Sequence, residues 1–416
     1  MSRPAARRPR VAAAATFPFF PPQGGGQLRV WHLYRQLARH ADITVVCLTD
    51  YGKPAREREV APGLFEWRVP MALAHDTEFW RLYRETGASM TDVSFPELHR
   101  LTPAYGEAVQ RATAGADLLI ACHPYTAPLL LDAAPGVPLW YEAQDMEWDL
   151  KGNTLPEHEI KQHYVDLTRA TEATACDAAE LVIACSDADA ARFAEVYGVD
   201  DARLRVAPNG VEVAAVPVTT TQQRRATHDR LGMPVEQRGL FLASQHGPNN
   251  TAAFRLLDLA RESPDLRFWI AGSVCDVLRD LEDVPDNAEL FSILPDMHKD
   301  TLLAIADVML NPVEEGSGTN LKTFEYLASG APLVSTPKGL RGAEVPEGPA
   351  VVVADVDDFP AAMRQVAATD AGALDAHAAA LRAAVARRYD WQAIVDRLLA
   401  DPAVRERLSP KAVDAA

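Results

Sequence analysis

Residues 313–336 read VEEGSGTNLKTFEYLASGAPLVST. The stretch follows Val308-Met309-Leu310, an apolar run short enough for a buried strand. Gly316 and Gly318 relax the backbone of a tight loop, and Thr319 or Asn320 stands where a side chain can cap a helix. Leu321, Phe324 and Ala328 recur at helical spacing, Gly330 supplies the stop, and Pro332 blocks continuation. Leu333 to Thr336 then reads as the next strand. Strand, glycine loop, helix and strand in that order make one unit of a parallel sheet.

Such a unit favours an anion. Backbone N–H groups at the helix start, exposed by the glycines, point over the loop, and the helix dipole adds partial positive charge. Lys322 stands in the first turn, where a cation is unfavourable unless an anion is near, and Glu325 lies about one turn on. Helical side chains lean toward the N-terminus, so the Glu325 carboxylate can reach back and accept hydrogen bonds from vicinal hydroxyls of the same ligand. A phosphorylated sugar or a nucleotide fits that pair. An ordinary capped helix with a solvent-facing Glu fits the spacing equally well.

The segment GSGTNLKTFEYLASGAPLVST resembles the donor site of the retaining glycosyltransferases of family four. The resemblance implies the GT-B fold: two Rossmann-like, doubly wound parallel-sheet domains facing across a cleft, with a C-terminal helix crossing back to the N-terminal domain. It also implies that Glu325 contacts the nucleotide ribose. The second Glu that the family usually places eight positions earlier is here Ser317, with Glu314 and Glu315 out of register. Gly316, Ser317, Gly318, Thr319 and Asn320 become donor-binding residues, with Lys322 on the diphosphate.

A chain of 416 residues is long enough for two large cores, and 48% hydrophobic with 24% charged residues is an ordinary globular profile. A formal net charge of −17 argues against nucleic acid as a partner, because phosphate backbones need a basic surface. Cys47, Cys122, Cys176, Cys185 and Cys275 show no metal-binding spacing and read as buried thiols of a cytoplasmic, reducing compartment. No metal or cofactor is expected beyond a nucleotide diphosphate sugar as substrate. No apolar run approaches the ~20 residues needed to span a bilayer.

Arg3, Arg7, Arg8 and Arg10 precede VAAAATFPFF, but prolines interrupt the apolar run, so residues 1–10 read as a disordered basic tail rather than a signal peptide. Such a tail offers at most weak peripheral contact with anionic lipid and is more often only solubilising. The first strand is Val11 to Thr16. Gly24, Gly25 and Gly26 then lead into an amphipathic helix from Gln27 to His40. The register fails a dinucleotide fingerprint, since the third position is Arg29. The glycines read either as a loop folding over a donor phosphate, as in the resembled family, or as a flexible connector. Residues 51–105 suggest an extra strand followed by helical insertions.

Strands Asp117 to Ala121 and Val137 to Tyr141 end at His123 and at Glu142-Ala143-Gln144-Asp145-Met146-Glu147. Ligands sit outside the carboxyl ends of such strands. His123 is a candidate contact to the donor sugar or the acceptor, with a structural histidine the plainer alternative. Asp145 and Glu147 are acceptor-side candidates, or simply charges at a helix start. Gln144 and Asp145 replace the family's usual His and Asn, while Glu147 matches. Leu155 to Glu180 reads as one long helix.

Pro208-Asn209-Gly210-Val211 resembles the family's inter-domain hinge and precedes a polar stretch, Thr219 to Gln237. The domains expected are therefore 11–210 on the acceptor side and 211–390 on the donor side, with a C-terminal helix at about 391–410 packing back on the first. In the second domain, Gln245-His246-Gly247-Pro248-Asn249-Asn250 follows a strand and precedes a helix from Thr251 to Arg261. It lacks the Arg and Lys that family members often carry there, leaving His246 and Asn249 as donor contacts, with Lys338 or Arg341 as further cations.

The expected activity is transfer of a sugar from a nucleotide diphosphate sugar to a glycan, lipid or small-molecule acceptor, with retention as the resemblance implies. No side-chain nucleophile is evident, so positioning and charge stabilisation carry the step, with Lys322, Glu325 and His123 as its principal residues. Alternatives are a sugar-nucleotide epimerase or phosphorylase of the same fold, or a catalytically degenerate partner subunit.

Overall fold

The computed structural model describes residues 6–234, 236–315 and 319–412. The chain divides into two units, one built from residues up to Pro208 together with those from Ile394 onward, the other from Asn209–Ala393.

The first unit contains β1 (Ala6–Arg7), β2 (Arg10–Ala15), β3 (Asp42–Thr49), β4 (Arg56–Ala61), β5 (Leu64–Pro70), β6 (Leu118–Ala121), β7 (Leu139–Glu142), β8 (Ala179–Ala184) and β9 (Leu204–Val206). Eight of these form one sheet in the order β4-β5-β3-β2-β6-β7-β8-β9. Its central strands are near-continuous apolar runs, buried on both faces as parallel strands must be. Only the edge pair β4–β5 is antiparallel in this sheet, so in place of the one extra strand expected in residues 51–105 there is a two-stranded hairpin. The chain winds one way from β2 to β3 and β5, then the other way from β6 onward. The switch point therefore lies between β2 and β6.

The second unit contains β10 (Gln237–Leu242), β11 (Leu266–Ala271), β12 (Ala288–Phe291), β13 (Val308–Asn311), β14 (Leu333–Ser335) and β15 (Val351–Val353). They form an all-parallel sheet in the order β12-β11-β10-β13-β14-β15, with its switch point between β10 and β13. Each unit is thus a doubly wound α/β layer sandwich, the fold class read from the sequence. Last comes β16 (Lys411–Ala412), which pairs antiparallel with β1 inside the first unit.

Several expectations need correction. Residues 6–10 are not a disordered tail: Arg7 makes a two-pronged bond to Asp117 (2.6 and 2.9 Å), and Arg8 Nε donates to Asp42 at 2.7 Å. Those two guanidiniums are committed to carboxylates rather than available to lipid. Arg3 lies outside the described residues. The polar stretch 219–237, for which the sequence suggests no element, carries the helix Thr221–Leu231. Thr220 Oγ1 accepts from Gln223 N (3.1 Å) while Gln223 Oε1 accepts from Thr220 N (2.9 Å), a capping box hidden in polar sequence.

The helix expected from Leu155 to Glu180 is shorter, running Lys161–Ala178, and a separate helix, Glu147–Thr154, precedes it across a break containing Pro156. The terminal helix stops at Ala400 and restarts at Pro402–Arg407, where Asp401 Oδ1 accepts from Ala403 N at 2.8 Å.

Candidate functional site

In the second unit, three residues singled out from sequence converge at the switch point. The helix Leu321–Ala328 follows β13, and Lys322 in its first turn donates from Nζ to Asn249 Oδ1 at 2.7 Å. The same ammonium lies 4.5 Å from the ring centre of Phe241 in β10. Burial pulls the Lys322 pKa down to about 7, and that positive charge in turn contributes, after burial itself, to lowering the pKa of His246. Asn249 belongs to the helix Gly247–Glu262, which starts four residues earlier than expected. Pro248 fits its first turn, where no N–H is needed, so His246 is the residue before the helix rather than part of a long loop.

Asn320 precedes the helix Leu321–Ala328 without a side-chain cap, and Thr319 Oγ1 accepts from Asn209 Nδ2 at 2.9 Å. The helix start thus keeps its N–H groups uncapped by either residue that could have covered them. Gly316, Ser317 and Gly318 lie outside the described residues. Lys338 is half-buried, and its pKa is lowered by burial and then by the Arg341 charge.

Glu325 is half-buried, with Oε1 accepting from Lys299 Nζ at 2.8 Å. Lys299 stands on the helix Asp296–Ile305; burial opposes its charge most strongly, but Glu325, joined by Asp296 and Asp300, overcomes this and raises its pKa. Sequence reasoning missed Lys299 because it lies 26 residues before its partner with no shared motif. Phe241 was missed for the same reason: a strand Phe reads as core until its neighbour is known.

The first unit places its candidates at the other switch point. Gly24 precedes the helix Gly25–Leu37, so Gly25 and Gly26 are its first residues and not a loop. Gln27 Oε1 accepts from Gln23 N (2.7 Å) and Gly24 N (3.0 Å), holding that start in place. A Cβ on Gly26 would sit 2.5 Å from Gln144 Oε1, so any side chain here would have to displace the end of Gln144 from the helix start.

His123, after β6, is buried; its Nδ1 lies 3.2 Å from Glu147 Oε1, and Phe17 packs edge-on at 5.4 Å. Glu147 is the first residue of the helix Glu147–Thr154 and is buried, with Oε2 accepting from Tyr125 Oη (2.9 Å) and 3.4 Å from Lys151 Nζ. Burial opposes its charge, but Lys151 and the His123 bond overcome this and lower its pKa to about 2. Half-buried Asp145 goes the other way, raised to about 7 by burial and by the charges of Glu147 and Asp189. Lys151 was legible as the partner of Glu147 one helical turn on; Tyr125 was not. Among the described residues, no group of His, Cys, Asp or Glu is placed to hold a metal ion, and no helix is long and apolar enough to cross a membrane.

Residues 23–215 match the profile of Glycosyltransferase Family 4, and residues 254–400 match one described as Glycosyl transferase-like. The chain belongs to the glycosyltransferases. No curated protein sequence matches it. Similar solved structures include HepE of Anabaena in complex with UDP, with TM-score 0.66 and 16% identity over 94% of this chain and 98% of that one. Sucrose-phosphate synthase from Thermosynechococcus elongatus has TM-score 0.70 and 15% identity over 94% and 97%. A UDP-forming trehalose-phosphate synthase from Burkholderia xenovorans has TM-score 0.63 and 14% identity over 96% and 100%. At these identities the likeness shows the GT-B fold of this glycosyltransferase, not its substrates.

Proposed function

We propose that this glycosyltransferase moves a sugar from a nucleoside diphosphate sugar to a hydroxyl of a glycan, lipid or small-molecule acceptor, with retention of anomeric configuration. The observation that carries the reading is Lys322: a half-buried ammonium that donates to a neutral amide oxygen, at a helix start without a side-chain cap on a switch point. A donor diphosphate there would supply the missing negative charge, meet the helix N–H groups and restore the ammonium's full protonation. Stabilising that diphosphate as it departs is the main catalytic task of a site without a side-chain nucleophile. Glu325 would hold the ribose hydroxyls, exchanging or sharing its bond to Lys299. Uridine is the first base to test, because HepE has been solved with UDP and with UDP-glucose. Retention rests on the family resemblance, and the buried free thiols favour a reducing, cytoplasmic setting. Peripheral lipid contact forms no part of this reading.

Thermal-shift screening against nucleoside diphosphates and their sugars tests it, since a ligand bound only by the folded state raises the midpoint. A uridine diphosphate sugar is expected to raise the midpoint, and product formed with a suitable acceptor is expected to keep the donor's anomeric configuration by proton NMR. No shift with any nucleoside diphosphate sugar would overturn the donor assignment, and an inverted product would overturn retention.

A further inference from the structure

The first unit holds a chain of buried polar contacts that reaches His123 from behind. Glu172, on the helix Lys161–Ala178, is fully buried. Its Oε1 accepts from Glu147 N (2.9 Å) and Tyr141 Oη (2.8 Å), its Oε2 from Trp148 N (3.0 Å) and Tyr197 Oη (2.8 Å). A side chain from another helix therefore caps the start of Glu147–Thr154, fixing the backbone of Glu147. The Glu147 carboxylate is fixed in turn by Tyr125 and Lys151, and its remaining direction meets His123 Nδ1. His123 Nε2 is buried and has no hydrogen-bond partner among the described residues. Such an atom is costly to leave unmatched, so it marks a place for a ligand oxygen.

We propose that Glu147 is a positioning residue that fixes the tautomer of His123, and that Glu172 sets Glu147, so that the ring's other nitrogen, Nε2, is presented to a sugar hydroxyl. This rests on the glycosyltransferase reading for the identity of the hydroxyl, but not for the tautomer. A carboxylate at Nδ1 requires the proton there, leaving the Nε2 lone pair to accept from the hydroxyl while the ring is neutral. The charged or titratable groups facing the ring are Glu147, Asp92, Asp145, Lys151 and Tyr125. Asp92 is held by Thr16 and lies 3.9 Å from Lys151, so the cluster closes on itself.

Nitrogen-15 NMR of the histidines, with His123 assigned by its substitution, reads the tautomer directly. Wild type is expected to show a protonated Nδ1 and an unprotonated Nε2 above the ring's pKa. Glu147→Gln is expected to lose that preference, lower the His123 pKa and reduce kcat/KM about ten- to a hundredfold, while UDP affinity stays within about twofold. Tyr125→Phe, which removes a single hydroxyl, is expected to do the same more weakly and guards against misfolding of the first variant. A raised donor KM would place the hydroxyl on the donor sugar, and a raised acceptor KM would place it on the acceptor. A wild-type ring protonated on Nε2 when neutral, or a tautomer unchanged in both variants, would overturn the proposal. Failure of UDP to bind wild type would instead count against the donor reading and leave the tautomer result standing.

Discussion

Lys322 shows how a residue's surroundings can reveal the ligand it lacks. A lysine facing solvent in a first helical turn would keep its charge; this one is held against an amide oxygen and the Phe241 ring, and burial brings its pKa to about 7. The sign of the pH dependence follows. At pH 8 the unliganded ammonium is mostly deprotonated, and a bound diphosphate raises its pKa, so binding takes up a proton and affinity falls as pH rises above about 7. The fall approaches about tenfold per pH unit. Calorimetry of UDP binding at pH 8 in HEPES and in Tris should show the uptake in wild type and none in Lys322→Ala. The same substitution should lower kcat by about 10²–10³-fold, the scale of losing one donor to a developing negative charge. Proton exchange identical in both proteins would remove Lys322 from the phosphate site. The sequence located Lys322, His246 and Asn249 individually, but their meeting depends on β10 lying beside β13. Neither that adjacency nor the Lys299–Glu325 bond leaves a periodic trace in the chain.

At the scale of elements, strands and helices were easier to read than the places where they begin. Apolar runs announced β2, β6, β8 and β13, whereas the helix starts at Gly25 and Gly247 were masked by glycine and proline, which read as loop but are tolerated in a first turn. One glycine has a stricter duty. Gly272, at the end of β11, has φ of 101°, and an added Cβ would lie 2.2 Å from the Ala243 carbonyl oxygen. Its neighbour Ser273 accepts from Gln245 N at 2.8 Å, which ties this turn to the segment carrying His246. Gly272→Ala is therefore expected to cost at least about 2 kcal/mol in denaturant unfolding and to weaken UDP binding. Wild-type stability in that variant would show that the turn can relax without disturbing the site.

On the scale of the whole molecule, the alternation of strands and helices made the two-unit α/β architecture legible from a single family-like segment. What the pattern did not convey is how firmly the two ends of the chain are tied into the first unit. Ile394, Val395, Leu398, Val404 and Leu408 are buried there, Arg205 bonds Asp401 at 2.7 Å, and Arg407 bonds Glu180. Five buried apolar side chains at about 1.5–3 kcal/mol each approach the full stability of a typical domain. A chain ending at Ala393 is expected to lose hydrogen-exchange protection in β2, β3 and β6. Full protection of those strands in the shortened chain would show that residues 394–416 are dispensable to the first unit.

The donor assignment, carried by Lys322 at the diphosphate, is tested most directly at the ribose, through Glu325. The direct measurement is calorimetric binding of UDP and of its 2′,3′-dideoxy analogue to wild type and to Glu325→Gln. Charge-assisted bonds to two ribose hydroxyls predict about ten- to a hundredfold weaker UDP binding by the Gln variant, since about 1.4 kcal/mol is a factor of ten. Removing the hydroxyls should cost wild type heavily and the variant much less, a coupling read as a double-mutant cycle. Equal losses for the dideoxy ligand in both proteins would contradict the account: Glu325 would then serve only its bond to Lys299.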